Sequence, residues 1–174
     1  MPHDGITDSD LQSVVAYYGQ FIARRAGPGF DMACSDVLER TALDYTLDSL
    51  RAIDGYLLTV HGALEDIPTI AYANTIMGVA VYVGEVIRRR SPSMAYRWGR
   101  KAETQGDDPA SGLAFGDLLD IVLLDPNTGA ALSPVKPILR VFLHGQKAHT
   151  VHSFAVTATR SAWVAAVSDD HHRP

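Results

Sequence analysis

The chain has 174 residues, 47% of them hydrophobic, which is enough for one sizeable core and short for two domains. A formal charge of −5 and a pI near 5.7 exclude the basic excess of a general nucleic-acid binder. The single cysteine, Cys34, cannot close an internal disulfide and points to a reducing compartment.

The first ten residues are acidic and polar, without the basic start and apolar run of a signal peptide. Asp8 or Ser9 can cap a first helix running to about residue 26, with Leu11, Val14, Val15, Tyr18 and Ile22 on one face. Arg24 and Arg25 suit its C-terminal end, and Gly27-Pro28-Gly29 stops it. Residues 30–41 are ambiguous and allow one short helix through Val37 and Leu38. A clear helix follows Thr46, a good N-cap, with Asp48 in its first turn and Leu47, Leu50, Ile53 and Leu57 as its buried stripe. It ends near His61-Gly62, and residues 62–68 lead into the next element.

Residues 67–90 organise the rest. No charge occurs from Pro68 to Gly84; Glu85 then appears, and Arg88, Arg89 and Arg90 close the stretch before Ser91-Pro92. As a helix it makes about six turns at roughly 3.6 residues each. Tyr72, Ile76, Val79, Ala80, Val83, Val86 and Ile87 cover one broad side, while Ile70, Met77 and Val81 continue on the other. A helix apolar on nearly every side belongs at the centre of a core. One narrow arc departs from this pattern, where Asn74, Gly78, Glu85 and Arg89 fall together. Its length approaches the roughly 20 residues of a membrane span. Pro68, Asn74, Thr75, two glycines and Glu85 argue instead for a core helix and no membrane. Short connections favour antiparallel packing of these helices.

Beyond residue 92 the pattern changes. Tyr96-Arg97-Trp98 reads as a strand, residues 103–112 as a polar surface loop, and residues 120–124 as a second strand. Asp125-Pro126-Asn127-Thr128-Gly129 has the chemistry of a type I turn closed by a left-handed glycine. Residues 134–143 form a helix opened by Pro137 and ended by Gly145. Thr150 can cap a last helix carrying Val151, Phe154, Ala155, Ala158 and Ala162, although its β-branched residues leave a strand as the alternative. Residues 169–174 form a frayed tail. The order of elements gives an α+β fold: one helix-rich domain over residues 1–174, with a central buried helix at about 69–90, other helices around it and a small antiparallel sheet.

Glu85 is the first candidate for chemistry, because an apolar setting raises a carboxylate towards the range of a general acid or base. The structural alternative pairs it with Arg89 one turn on, or with Arg51 or Arg140, and is favoured because a buried carboxylate needs a partner. His144, His149 and His152 lie close in sequence, and His149 and His152 can share a helix face. Their HTVH spacing is not the HExxH of a zinc helix, so no metal is assigned. Asp125 and Asn127 begin like a calcium loop, but Gly129 falls one place early and Lys136 stands where a glutamate is needed. No phosphate loop, dinucleotide fingerprint or nucleophile elbow occurs, and no cofactor is expected. Cys34 reads as a small buried thiol. Arg88, Arg89 and Arg90, with Arg97, Arg100 and Lys101, form a basic cluster suited to solvation at a helix C-terminus or to a phosphate or acidic partner.

The segment Tyr82-Val83-Gly84-Glu85-Val86-Ile87-Arg88, after the helix LDSLRAIDGYL, resembles a group of small bacterial proteins of unknown function. They share a Tyr-x-Gly-Glu-Val-Ile-Arg helix followed by a tryptophan-containing strand, here Trp98, and a later helix with Arg140 and Gly145 at matching places. The resemblance spans residues 47–154 and departs in a longer insert between residues 103 and 116. It implies a bacterial cytoplasmic α+β domain without established enzyme activity, related to immunity-like and interaction proteins. Gly84 would then permit close approach to the helix, and Glu85 would tie a strand or loop to it.

Two functions follow as expectations. The favoured one is a non-catalytic protein-interaction module that meets a basic partner through Asp107, Asp108, Asp117, Asp120 and Asp125. The other is a small-molecule binder or small enzyme with Asn74, Glu85 and Arg140 around a cavity, and Arg89 and Trp98 beside them.

Overall fold

The structure, a computed structural model, describes residues 8–24, 31–39, 42–67, 69–100, 120–145 and 147–170. It is a helix-rich α+β fold with a three-stranded antiparallel sheet. Helix α1 (Asp8–Arg24) turns Leu11, Val15 and Ile22 into the core, with Val14 and Tyr18 packed against its edge. The short α2 (Ser35–Glu39) passes through Val37 and Leu38 as expected, and Leu38 is fully buried.

Helix α3 spans Ser49–Gly62. Thr46 caps it from one turn upstream: its hydroxyl oxygen accepts the Ser49 N–H at 3.2 Å and donates to Asp44 Oδ1 at 2.6 Å. The regular helix therefore begins two residues later than a cap at Thr46 predicts, after a turn in which the Leu50 N–H bonds the Leu47 carbonyl. Leu50, Ile53, Tyr56, Leu57 and Val60 face inward.

Helix α4 (Thr69–Arg90) is the centre of the fold. It is the one helix among the described residues long and apolar enough to cross a bilayer, yet 78% of its apolar window is buried against the rest of the chain. Val79, Val83, Val86 and Ile87 have no solvent contact, whereas Ile70 in the first turn is exposed. Its close helical neighbours are α1 and the two helices that follow the sheet. Ser49 at the start of α3 bonds Tyr82 well along α4, so the two run antiparallel.

After a 3-10 turn at Pro92–Met94, β1 (Arg97–Arg100), β2 (Ile121–Leu124) and β3 (Ala131–Leu132) form the sheet in that order. The register sets Trp98 opposite Leu123 and Leu124 opposite Ala131. All four residues of β2 are buried, so its run of β-formers lies between two covered faces. The β2–β3 turn is closed by Asp125, whose carboxylate accepts the Asn127 N–H at 2.9 Å and the Thr128 hydroxyl at 2.6 Å. Gly129 completes it at φ +70°. Strand β3 was not expected, because two residues are too few for an alternation to show. The polar loop predicted for residues 103–112 lies outside the described residues.

Helix α5 spans Val135–His144 and ends on Gly145 at φ +59°. Pro137 is its third residue rather than its opener. The first N–H groups of a helix have no partner within it, so a proline there removes no hydrogen bond. Helix α6 spans Val151–Asp170, which settles the helix-or-strand alternative and carries the helix into the segment expected to fray. It has two caps. Thr150 accepts the Ser153 N–H, and Asp54 reaches across from α3 to accept the N–H groups of Val151 at 2.8 Å and His152 at 3.2 Å. With its first donors satisfied, the helix tolerates the β-branched residues Val151, Val156, Thr157 and Thr159.

Candidate functional site

The polar groups of the central helix are engaged inside the fold. Asn74 is buried and donates to the Asp31 carbonyl at 3.1 Å. Thr75 accepts the Ala33 N–H at 2.9 Å and donates to the Ala71 carbonyl. Tyr82 accepts the Tyr45 N–H and shares a hydrogen bond of 2.7 Å with the Ser49 hydroxyl. Tyr56 donates to the Ala33 carbonyl at 2.6 Å. Burial pushes the phenols of both Tyr56 and Tyr82 above their ordinary range.

Glu85 is fixed as part of a latch onto the sheet. Its Oε1 accepts both the Trp98 indole N–H at 2.9 Å and Arg88 Nη1 at 2.7 Å. Arg88 also donates from Nε to the Tyr96 carbonyl at 3.0 Å. Trp98 lies against Gly84 so closely that a Cβ there would enter the indole ring. The Gly-Glu pair therefore does what the sequence suggested, close approach and tying. Its ionic partner differs from the expectation: it is Arg88, three residues on, which the Tyr96 carbonyl holds in place. Arg89 turns away and lays its guanidinium 3.6 Å over the Tyr45 ring, a cation–π contact. Arg51 pairs instead with Asp48 at 3.6 Å, and Arg140 is exposed on α5. The Glu85 side chain is 22% exposed, so it is not sealed in the core.

Asn74 and Glu85 stand eleven residues apart on one helix, which is about 16 Å along its axis. The two therefore do not meet at one point of the helix, and Arg140 stands exposed on α5. Nor do the later histidines converge. His144 is exposed at the end of α5, and His149 sits before α6 in a left-handed conformation at φ +56°, so it shares no helix face with His152. No three His, Cys, Asp or Glu side chains among the described residues are grouped to hold a metal ion. Cys34 is half-buried, and burial followed by the nearby Asp36 raises its thiol pKa. Of the acidic residues assigned to a partner surface, Asp125 is buried and occupied by its own turn. Asp107, Asp108 and Asp117 lie outside the described residues.

The open concavity lies elsewhere. About 680 Å³ is enclosed between the segment leading into α3, the first turn of α3, the C-terminal end of α4 and the outer face of α6. Arg51, Arg90 and Arg160 line it, each from a different helix, with His152 beside them. Asp44 and Asp48 supply its acidic groups, and Leu47 and Val156 its apolar ones. Three guanidiniums against two carboxylates leave one net positive charge. The Asp44 carboxyl is held below the usual range by the side-chain and backbone hydrogen bonds from Thr46, with the Arg90 charge adding to them. Arg160 has no ion-pair partner among the described residues.

Local structure explains how these groups meet. The helix-closing cluster of three arginines divides in three directions: Arg88 to the sheet, Arg89 to Tyr45 and Arg90 to the cavity. Asp54 fixes the start of α6 against α3 and so sets His152 and Arg160 opposite Arg51. Burial raises the Asp54 carboxyl pKa, opposed by the hydrogen bonds it accepts from Thr150, Val151 and His152. The sequence named Arg51 and Arg90 for other roles. It gave no sign that Arg160, seventy residues beyond Arg90, would join them; the basic cluster was the one signal available.

Comparison with models of protein families, with curated proteins and with solved structures finds no match.

Proposed function

We propose that the chain is a non-catalytic binding module that recognises a negatively charged group at the cavity between α3, α4 and α6. The observation that carries this reading is the meeting of three arginines from three helices at one open, partly apolar hollow. Guanidinium groups offer planar, fixed donors suited to carboxylates and phosphates. A volume near 680 Å³ falls within the usual range of small-ligand sites. The alternative site around Glu85 is the less favoured, since Trp98 and Arg88 already bond one oxygen of that carboxylate. The sign of the preferred partner is thus the reverse of the one the acidic composition suggested: net charge describes the whole surface, and this hollow runs against it.

The test is a backbone amide NMR titration with phosphate, sulfate and succinate, each replacing chloride at constant ionic strength. Saturable shifts confined to residues 44–51, 90 and 152–160 are expected for at least one anion. Shifts spread evenly over the surface, or none, refute the reading.

A further inference from the structure

We infer that the cavity takes the phosphoryl group of a small phosphate monoester. This assignment rests on the anion-binding reading above and narrows it to one chemical class. The first argument is charge. Three guanidiniums line the hollow, and a phosphate monoester, at about −1.5 to −2 at neutral pH, can engage more of them than a single carboxylate does.

The second argument is shape. One arginine fork, or two, satisfies a planar carboxylate. Here Arg51, Arg90 and Arg160 approach from three separate elements, an arrangement that suits a tetrahedral group with oxygens on several sides. The start of α3 also borders the hollow, through Asp48 just before it and Arg51 in its first turn, and the dipole at a helix start favours an anion. Arg51 is held only by an exposed ion pair with Asp48 at 3.6 Å, a contact of small net worth that a phosphoryl oxygen can replace.

The third argument concerns what remains of the volume. The hollow is far larger than one phosphate, and Leu47 and Val156 line it beside the charged groups. Such a mixed lining fits an organic body attached to the phosphoryl group. The Asp44 carboxylate, already accepting two hydrogen bonds from Thr46, can still accept one from a ligand hydroxyl. A polyhydroxylated monoester such as a sugar phosphate meets all three conditions.

The experiment is isothermal titration calorimetry of the full chain with inorganic phosphate, glucose 6-phosphate, glucose and succinate, in a non-phosphate buffer at fixed ionic strength. The same titrations are run on Arg90→Gln/Arg160→Gln, with circular dichroism to show that it folds. Glucose 6-phosphate should bind saturably and more tightly than inorganic phosphate, and glucose should not bind. The double variant should lose about tenfold or more in affinity, as expected for removing charge-assisted hydrogen bonds. Inorganic phosphate binding as tightly as glucose 6-phosphate would overturn the monoester assignment. Succinate binding as tightly as glucose 6-phosphate would overturn the phosphoryl assignment while leaving the anion site intact. An unchanged affinity in the folded double variant would place binding elsewhere and refute both, as would no saturable binding of any probe here and in the NMR titration.

Discussion

Replacing Gly84 by alanine tests whether the contact between the central helix and the sheet is set by the absence of one methyl group. At an ordinary interior helix position this change stabilises by up to about 1 kcal/mol. At Gly84 the new Cβ would overlap the six-membered ring of Trp98. Trp98 is 3% exposed, and its N–H is committed to Glu85 at 2.9 Å, so the ring cannot turn aside without giving up that bond. Overpacking of this kind costs about 1–3 kcal/mol, and loss of a hydrogen bond to a charged acceptor about 1.5–3 kcal/mol. Set against the gain in helix propensity, Gly84→Ala should destabilise by about 2 kcal/mol. Urea unfolding followed by circular dichroism measures it. In a Trp98→Leu background the obstruction is gone, and the same substitution should become neutral or stabilising by up to about 1 kcal/mol. An equal effect in both backgrounds, or a stabilised single variant, would refute the argument.

The other predictions concern single groups. Glu85→Ala should cost about 1–3 kcal/mol by leaving the Trp98 N–H without its acceptor; a loss near the 3–5 kcal/mol of a broken buried pair would mean that its partial exposure has been misjudged. Asp54→Ala should cost about 1–2 kcal/mol by uncapping α6, and amide exchange should accelerate first at Val151 and His152; uniform acceleration throughout the fold would argue against a local cap. The phenols of Tyr56 and Tyr82 are raised by burial, so the folded chain keeps protons that the unfolded chain releases above about pH 10. That stabilising difference is fully present at neutral pH and is lost on the alkaline side, by up to about 1.4 kcal/mol per pH unit for the enclosed Tyr56; unfolding free energies that stay level between pH 9 and 11 would contradict it.

What the sequence made legible was whatever depends on neighbours along the chain. The apolar run ending in Arg88-Arg89-Arg90 set the central helix to within two residues, because a buried helix needs apolar residues on all sides and a charged exit. Gly129 and Gly145 marked two left-handed positions, since few other residues adopt that conformation without strain. His149 and Ala95 hold the same conformation without being glycine, and no local rule pointed to them. The helix-or-strand choice at α6 turned on Asp54, ninety-seven residues before Val151, so no reading of residues 150–162 alone was able to settle it.

The candidate site was hidden for a related reason. Arg88, Arg89 and Arg90 follow Glu85 on its own helix, and sequence spacing ranks Arg89 as the best partner because a Glu–Arg pair four residues apart favours a helix. That ranking treats the helix as isolated. Once Tyr96 and Tyr45 are in place, the Tyr96 carbonyl just before β1 draws Arg88 one way and the Tyr45 ring draws Arg89 another. Arg90, past both attractions, is left facing the cavity. The same tertiary contacts that engage Glu85, Arg88 and Arg89 therefore leave Arg90 as the arginine that lines the proposed site.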